Sequence, residues 1–132
     1  MFQTDRHHRL VCCCGLLCLV LSGCGGGPRA QPVKVDLAKA TLVQVLDHWK
    51  SGGDIEDFRK RKPEIVVQES LWTNGSKLQE YRIIGSERAE DANLWSEVEL
   101  TLVPASGGEP TKKTITYVIG TDPVLTVFHA IL

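Results

Sequence analysis

The chain has 132 residues, with 15 basic and 16 acidic side chains, a formal net charge of −1 at pH 7 and five cysteines. This near balance of charge argues against nucleic acid and against an anionic membrane surface as electrostatic partners, since both attract strongly basic proteins. The length suffices for one compact domain after a leader segment, and not for two.

The start of the chain has the composition of an export signal. Arg6 and Arg9 make its first residues basic, and an apolar run extends from Leu10 to Leu21. This run is about a dozen residues long, whereas a helix that spans a membrane needs about 20. We therefore expect a signal peptide rather than a transmembrane segment.

A lipid-attachment motif follows the apolar run. The residues Leu21–Cys24, "LSGC", resemble the lipobox of bacterial lipoproteins, in which cleavage before the cysteine leaves a lipid-modified N-terminus. The resemblance implies that residues 1–23 are a lipoprotein signal peptide and that the sulfur of Cys24 carries a diacylglyceryl group. The protein would then be exported and anchored through this lipid to a bacterial membrane, facing the periplasm. Gly25 leaves open whether that membrane is the inner or the outer one.

The alternative role for the cysteines is a metal cluster. Three of them are contiguous at positions 12–14, and Cys18 lies in the same apolar run, whereas zinc sites space their cysteines within a folded loop. We therefore expect no metal site and no cofactor. The segment 24–32, "CGGGPRAQP", is typical of a flexible tether because of its glycines and prolines, so the folded domain is expected over 33–132.

An amphipathic helix is predicted immediately after the tether, from Asp36 to Ser51. Asp36 is suited to be its N-cap, and Gly52–Gly53 supplies a stop. Apolar residues recur at helical spacing and form one stripe; they are Leu42, Val45, Leu46 and Trp49.

A second, short helix is predicted over 54–61. Asp54 is its expected cap, and Pro63 prevents it from continuing. The basic run Arg59–Lys62 matches the negative end of the helix dipole, which favours a solvated helix terminus over a nucleic-acid patch. We therefore predict no nucleic-acid partner.

From Glu64 onward the pattern is typical of strands. Two strand-like runs flank Thr73–Ser76, and the Asn-Gly pair in this segment predicts a hairpin. Three further runs follow, at 94–103, 111–120 and 124–132. The sequence thus predicts an α+β fold in which the amphipathic helix, with the short second helix, packs on a curved antiparallel sheet of about five strands.

This order of elements has a family resemblance. The segment 45–67, "VLDHWKSGGDIEDFRKRKPEIVV", resembles the opening of cystatin-like α+β domains of the SnoaL-like kind, and 117–128, "YVIGTDPVLTVF", resembles the close of short uncharacterised bacterial lipoproteins. The resemblance implies a helix over a concave sheet. The chain departs from the SnoaL-like pattern because it has no room for a further helix, so a shallower or open concavity is expected.

Three residues of the run 94–103 are candidate binding residues. Strict alternation places Trp95, Glu97 and Glu99 on one face of the strand, opposite the leucines and Val98. Two carboxylates about 7 Å apart on a strand could share an acid–base task. The simpler interpretation is a polar outer face, with Lys112 or Lys113 opposite on the neighbouring strand.

No catalytic group is identified among the remaining polar residues. His48 lies off the apolar stripe and beside Asp47, with which it is poorly placed to pair, so we interpret it as a solvated helix residue. Asp122 lies in "GTDP", which is typical of a turn, and could reach His129 only if the last hairpin curls back.

The three tryptophans are expected to pack in the core or on the sheet. One of them, if exposed beside the helix, could anchor a partner; they are Trp49, Trp72 and Trp95.

These features favour a lipid-anchored cell-envelope protein with a small, non-catalytic domain that binds a ligand or an envelope protein. An exposed apolar or aromatic patch would indicate such an interaction domain. The alternative is a small SnoaL-like enzyme, which requires acid–base groups that converge on a concavity of the sheet. A carrier of a small apolar ligand would instead require an enclosed apolar cavity.

Overall fold

The computed structural model describes Arg29 and residues 31–132. The expected signal peptide, Cys24 and most of the expected tether lie outside the described residues. The described chain begins with helix α1 (Val35–Lys50) and a 3-10 helix (Ile55–Lys60). The elements that follow are β1 (Ile65–Gln68), α2 (Ser70–Thr73), β2 (Lys77–Glu90), β3 (Asn93–Val103), β4 (Thr111–Gly120) and β5 (Leu125–His129).

Helix α1 forms because its apolar stripe has a core to cover. Its buried residues include the four predicted ones, together with Ala38 and Thr41. The helix begins at Val35, one residue before the predicted start, and Lys34 occupies the N-cap without a side-chain hydrogen bond. Asp36 is therefore not the N-cap; it lies in the first turn, where its charge still complements the helix dipole. At the other end Gly52 adopts a φ of 83°, a left-handed conformation that commonly ends helices.

The second helix of the prediction is present in 3-10 form. Asp54 caps it, since its side chain accepts a hydrogen bond of 2.9 Å from the backbone N–H of Glu56. Phe58 is its buried residue and attaches it to the core.

The five strands form one sheet with the order β1-β5-β4-β3-β2. Strand β1 pairs with β5 in parallel, and the other neighbours are antiparallel, so the prediction of an all-antiparallel sheet is wrong. The predicted hairpin over Thr73–Ser76 is also wrong, because the strands before and after it lie at opposite edges of the sheet. The Asn-Gly pair ends α2 instead: Asn74 is the C-cap, and Gly75 follows with a φ of 94°.

The sheet buries one face against α1, as the α+β prediction requires. Along β3 the buried side chains alternate with more exposed ones, and Ile115, Tyr117 and Ile119 of β4 are buried on the same side. The register pairs Ile119 with Leu94 and Ile115 with Val98, which makes a continuous apolar layer across the central strands. The opposite face carries the predicted candidates of β3.

Candidate functional site

A groove of about 980 Å³ lies where α1 ends. Its walls come from the end of α1, the start of the 3-10 helix, the α2–β2 connection and the first residues of β2. Aromatic and apolar side chains contribute to the lining, which includes Trp49, Trp72, Ile55, Leu78 and Val103. Polar groups are interspersed, among them Lys50, Ser51, Thr73, Ser76, Lys77 and Gln79.

Two stacked tryptophans form the aromatic part of this groove. The rings of Trp49 and Trp72 are nearly parallel, with an interplanar angle of 7° and centroids 5.3 Å apart. Trp49 is buried, and its indole N–H donates a 3.0 Å hydrogen bond to the backbone carbonyl of Ser76. This bond joins the end of α1 to the loop after α2, two segments that both line the groove.

His48 packs between Phe58 and Trp72, next to the tryptophan pair. Its ring lies 5.0 Å from that of Phe58 and 6.2 Å from that of Trp72, and its Nε2 is 3.0 Å from Oδ2 of Asp57. The hydrogen bond from His48 lowers the pKa of Asp57 below its ordinary value. The interpretation of His48 as a solvated residue is therefore wrong.

Asp47 does not pair with His48, in agreement with the sequence interpretation. Its Oδ1 accepts a 2.6 Å hydrogen bond from the hydroxyl of Tyr81 on strand β2. Burial, followed by this contact with Asp47, raises the pKa of Tyr81 to about 12.

A buried carboxylate lies at the base of α2. Glu69 is 3% exposed and receives three hydrogen bonds from three different elements. Its Oε1 accepts from the backbone N–H of Leu71 at 2.9 Å and lies 2.9 Å from Nδ1 of His129, while its Oε2 accepts from the hydroxyl of Tyr117. With a carboxylate oxygen as the acceptor, this contact requires the tautomer of His129 that carries its hydrogen on Nδ1.

The candidates predicted on β3 lie on the face of the sheet that α1 does not cover. Trp95 and Glu97 border a pocket of about 320 Å³, and the guanidinium of Arg88 lies 5.3 Å from the centre of the Trp95 ring. The carboxylate of Glu99 lies 3.5 Å from Arg82 and 3.6 Å from Lys112. Glu99 is thus part of a cross-strand ion pair, as the simpler interpretation predicts, and none of the three candidates lines the groove.

Asp122 and His129 are not brought together. Asp122 lies in the connection between β4 and β5, and its Oδ2 accepts a 3.2 Å hydrogen bond from the backbone N–H of Gln31. His129 contacts Glu69 instead. Sequence reasoning missed Glu69 because its partners Tyr117 and His129 lie 48 and 60 positions away along the chain.

Across 31–132 no helix has both the length and the apolar character needed to cross a membrane. Within the same part of the chain, no group of three or more histidine, cysteine, aspartate or glutamate side chains is arranged to hold a metal ion.

Comparison of the chain with protein-family models, with curated proteins and with solved structures finds no match.

Proposed function

We propose that the domain 33–132 binds a small ligand, without catalysis, in the groove beside Trp49 and Trp72. The observation that carries this proposal is the groove itself, whose volume of about 980 Å³ matches the range of about 300–1,000 Å³ usual for ligand sites. Its lining combines an aromatic wall with a few polar groups, which is the composition that orients a largely apolar ligand.

The ligand that suits this lining has a flat apolar body and at least one polar group. The edges of the tryptophan pair offer apolar contact, while Ser51, Thr73 and Gln79 offer hydrogen bonds at the rim. Two cations, Lys50 and Lys77, also line the groove, and so do two acidic residues, Asp54 and Glu56. Lys50 is held by Glu80 at 2.9 Å. The lining therefore has no excess of either charge, and an aromatic molecule with a few polar groups suits it.

Binding is tested with 8-anilinonaphthalene-1-sulfonate, an aromatic anion, by energy transfer from the tryptophans. The fragment 29–132 is suitable, since every buried hydrophobic residue of the described core lies between Ala38 and Val127. Its thermal transition is first matched to that of the domain in the full chain. We expect Gln79→Glu, which adds a carboxylate to the groove and repels the sulfonate, to weaken binding at least about tenfold, the equivalent of about 1.4 kcal/mol.

Thr114→Glu is the matched control, because it adds the same side chain at an exposed position paired with Glu99 on the uncovered face of the sheet. Equal affinity in both variants would place the binding elsewhere. A wild-type domain that does not bind the probe would remove the support for a ligand site in the groove.

We further propose that this domain is tethered to a bacterial membrane through lipid on Cys24. The support is the order of basic start, apolar run and "LSGC" in the sequence. The N-terminal mass of the protein from a bacterial host tests it, with Cys24→Ser as control. We expect an acylated chain that begins at Cys24 in the wild type, and a chain that begins at Met1 with free thiols would overturn the proposal.

We also propose that the fold is of the cystatin-like kind. Helix α1 packed over one sheet supports this assignment. The parallel pairing of β1 with β5 does not contribute to the assignment. An experimental structure that placed α1 off the sheet would contradict it.

A second candidate function, a small acid–base enzyme, is favoured by one observation. The imidazole of His129 is oriented by the buried carboxylate of Glu69, an arrangement that activates a general base. However, neither residue lines the groove. Hydrolysis of chromogenic esters that is lost in His129→Gln would favour this candidate over simple binding.

A further inference from the structure

We propose that Glu69 is the positioning residue of the groove: its carboxylate holds helix α2, and with it the Trp72 wall, against strands β4 and β5. This inference rests on the proposed function, because it identifies which contact sets the shape of the proposed ligand site.

Helix α2 has little packing of its own to hold it in place. It has only four residues, none of them is buried, and Leu71 and Trp72 pack against the core only in part. A helix this short is also not stable by itself. The partial packing of Leu71 and Trp72 is therefore supplemented by specific hydrogen bonds that attach α2 to the sheet.

Glu69 supplies these bonds from both its side chain and its backbone. The side chain accepts from the N–H of Leu71, and the backbone carbonyl accepts from the N–H and from the hydroxyl of Thr73, each at 3.0 Å. Two of the four residues of α2 are thus bonded directly to Glu69. The remaining acceptor capacity of the carboxylate faces the sheet.

The sheet holds the same carboxylate through two side chains. The hydroxyl of Tyr117 on β4 donates to Oε2, and Nδ1 of His129 on β5 donates to Oε1. Burial, followed by the charge of Glu69, raises the pKa of Tyr117 well above its ordinary value, so that this hydroxyl remains a donor. The carboxylate is therefore the link between α2 on one side and the two strands on the other.

The link bears on the groove because α2 and the residues after it form one of its walls. Trp72 and Thr73 belong to α2, and Gly75 and Ser76 follow it directly. Trp72 stacks on Trp49, and Ser76 accepts from the indole of Trp49. If α2 is released from Glu69, the near-parallel stack and the spacing of the two walls lose one of their supports, while the apolar layer of the sheet stays intact.

The test compares Glu69→Gln and Glu69→Ala with Glu97→Gln in the fragment 29–132. Glu97 is a matched control, because it is exposed and lies on the opposite face of the sheet. Glutamine keeps one acceptor oxygen for the N–H of Leu71, whereas alanine keeps none. We therefore expect a graded release of α2, largest for alanine, smaller for glutamine and absent in the control.

The first readout needs no ligand. Amide hydrogen exchange of Leu71 and Thr73 should accelerate at least about tenfold in Glu69→Ala, relative to the amides of Val98 and Ile119 in the central strands. The emission of the tryptophan pair, measured in a Trp95→Phe background, should shift to longer wavelength as Trp72 becomes hydrated. Equal acceleration at all four amides would mean a general loss of stability and would overturn the positioning role.

The second readout is the affinity for 8-anilinonaphthalene-1-sulfonate, which should fall at least about tenfold in Glu69→Ala. If α2 is released and the affinity stays at the wild-type value, the positioning proposal fails while the binding proposal stands. If the wild-type domain does not bind the probe, the function proposal fails, and the exchange data alone decide whether Glu69 holds α2. His129→Leu removes one donor and leaves the carboxylate, so it serves if the Glu69 variants do not fold. It should release α2 to a smaller extent, and unchanged exchange at Leu71 would contradict the link.

Discussion

Removal of the Tyr117 hydroxyl measures how much folding free energy is lost when the buried carboxylate of Glu69 lacks one hydrogen-bond donor. Tyr117→Phe removes one oxygen and leaves the ring in place, so no cavity of the size of a side chain is formed. It deprives Oε2 of Glu69 of its one hydrogen-bond donor in the described structure, while Leu71 and His129 continue to bond Oε1. Glu69 is 3% exposed, so solvent does not replace the lost donor.

The expected cost is about 2 kcal/mol, within the range of about 1.5–3 kcal/mol for hydrogen bonds to buried charged groups. For a domain of this size, 2 kcal/mol lowers the melting temperature by about 8–16 °C. The assay is the urea-induced unfolding of the fragment 29–132 followed by far-UV circular dichroism, with the slope of the transition checked for equality between variants.

Tyr81→Phe is the matched control because it makes the same chemical change at an exposed bond. The hydroxyl of Tyr81 donates to Asp47 at 2.6 Å, and water can replace it there. Its expected cost is about 0.5 kcal/mol. Equal losses in the two variants would refute the view that burial of Glu69 makes its hydrogen bonds important.

Three further outcomes follow from single contacts. Ser96→Ala should leave the urea midpoint unchanged or raise it, because the buried hydroxyl of Ser96 has no partner among the described residues, and its removal eliminates an unsatisfied group; a clear loss would reveal a partner. Asp57→Asn should flatten the acid side of the stability–pH curve. Because His48 lowers the pKa of Asp57, this contact stabilises the folded state fully at pH values above the ordinary pKa of 3.8. The stabilisation is lost as the pH falls through the lower pKa that Asp57 has in the folded protein. An unchanged stability–pH curve in Asp57→Asn would contradict the contact. Gly53→Ala should weaken thermal stability and alter the His48 imidazole signals in NMR spectra, because its Cβ would clash with the imidazole ring of His48; unaltered signals would argue against this packing.

Helix α1 and the 3-10 helix could be predicted closely because their signals are local, whereas α2 was missed because its residues were assigned to a strand and a hairpin. The stripe that ends at Trp49 placed α1 to within one residue, and Asp54 caps the 3-10 helix as expected. The alternation along β3 likewise gave the correct buried face, with Leu94 and Val98 inside and Trp95 outside.

The order of the strands could not be predicted in the same way. An Asn-Gly pair between two apolar runs is typical of a hairpin, but the same residues also suit the end of a helix, where a left-handed glycine is common. Only the tertiary structure decides between the two, since it places β1 beside β5 and leaves Asn74 at the end of α2. The error at one local signal therefore changed the predicted topology of the whole sheet.

The candidate site was missed for a related reason. Glu69 follows β1 at a position where an acidic residue suggests only that the strand has ended. Its structural role depends on Tyr117 and His129. Their side chains contact the carboxylate of Glu69 because β4 and β5 are neighbours and β5 lies beside β1. Long-range pairing of this kind leaves no period and no spacing that a single sequence can reveal.

The position of the groove is consistent with how stability is distributed over the domain. The central strands bury a continuous apolar layer, whereas α2 buries no residue completely and depends on a few hydrogen bonds. Segments that open locally at low free energy are those with few buried contacts, and binding surfaces are often built from them. An apolar side chain at position 69 would also be buried, but it would leave the hydroxyl of Tyr117 and the N–H of Leu71 without a hydrogen-bond acceptor. The carboxylate of Glu69 therefore satisfies donors from the sheet and from α2 at once, which attaches a weakly packed wall to a strongly packed core.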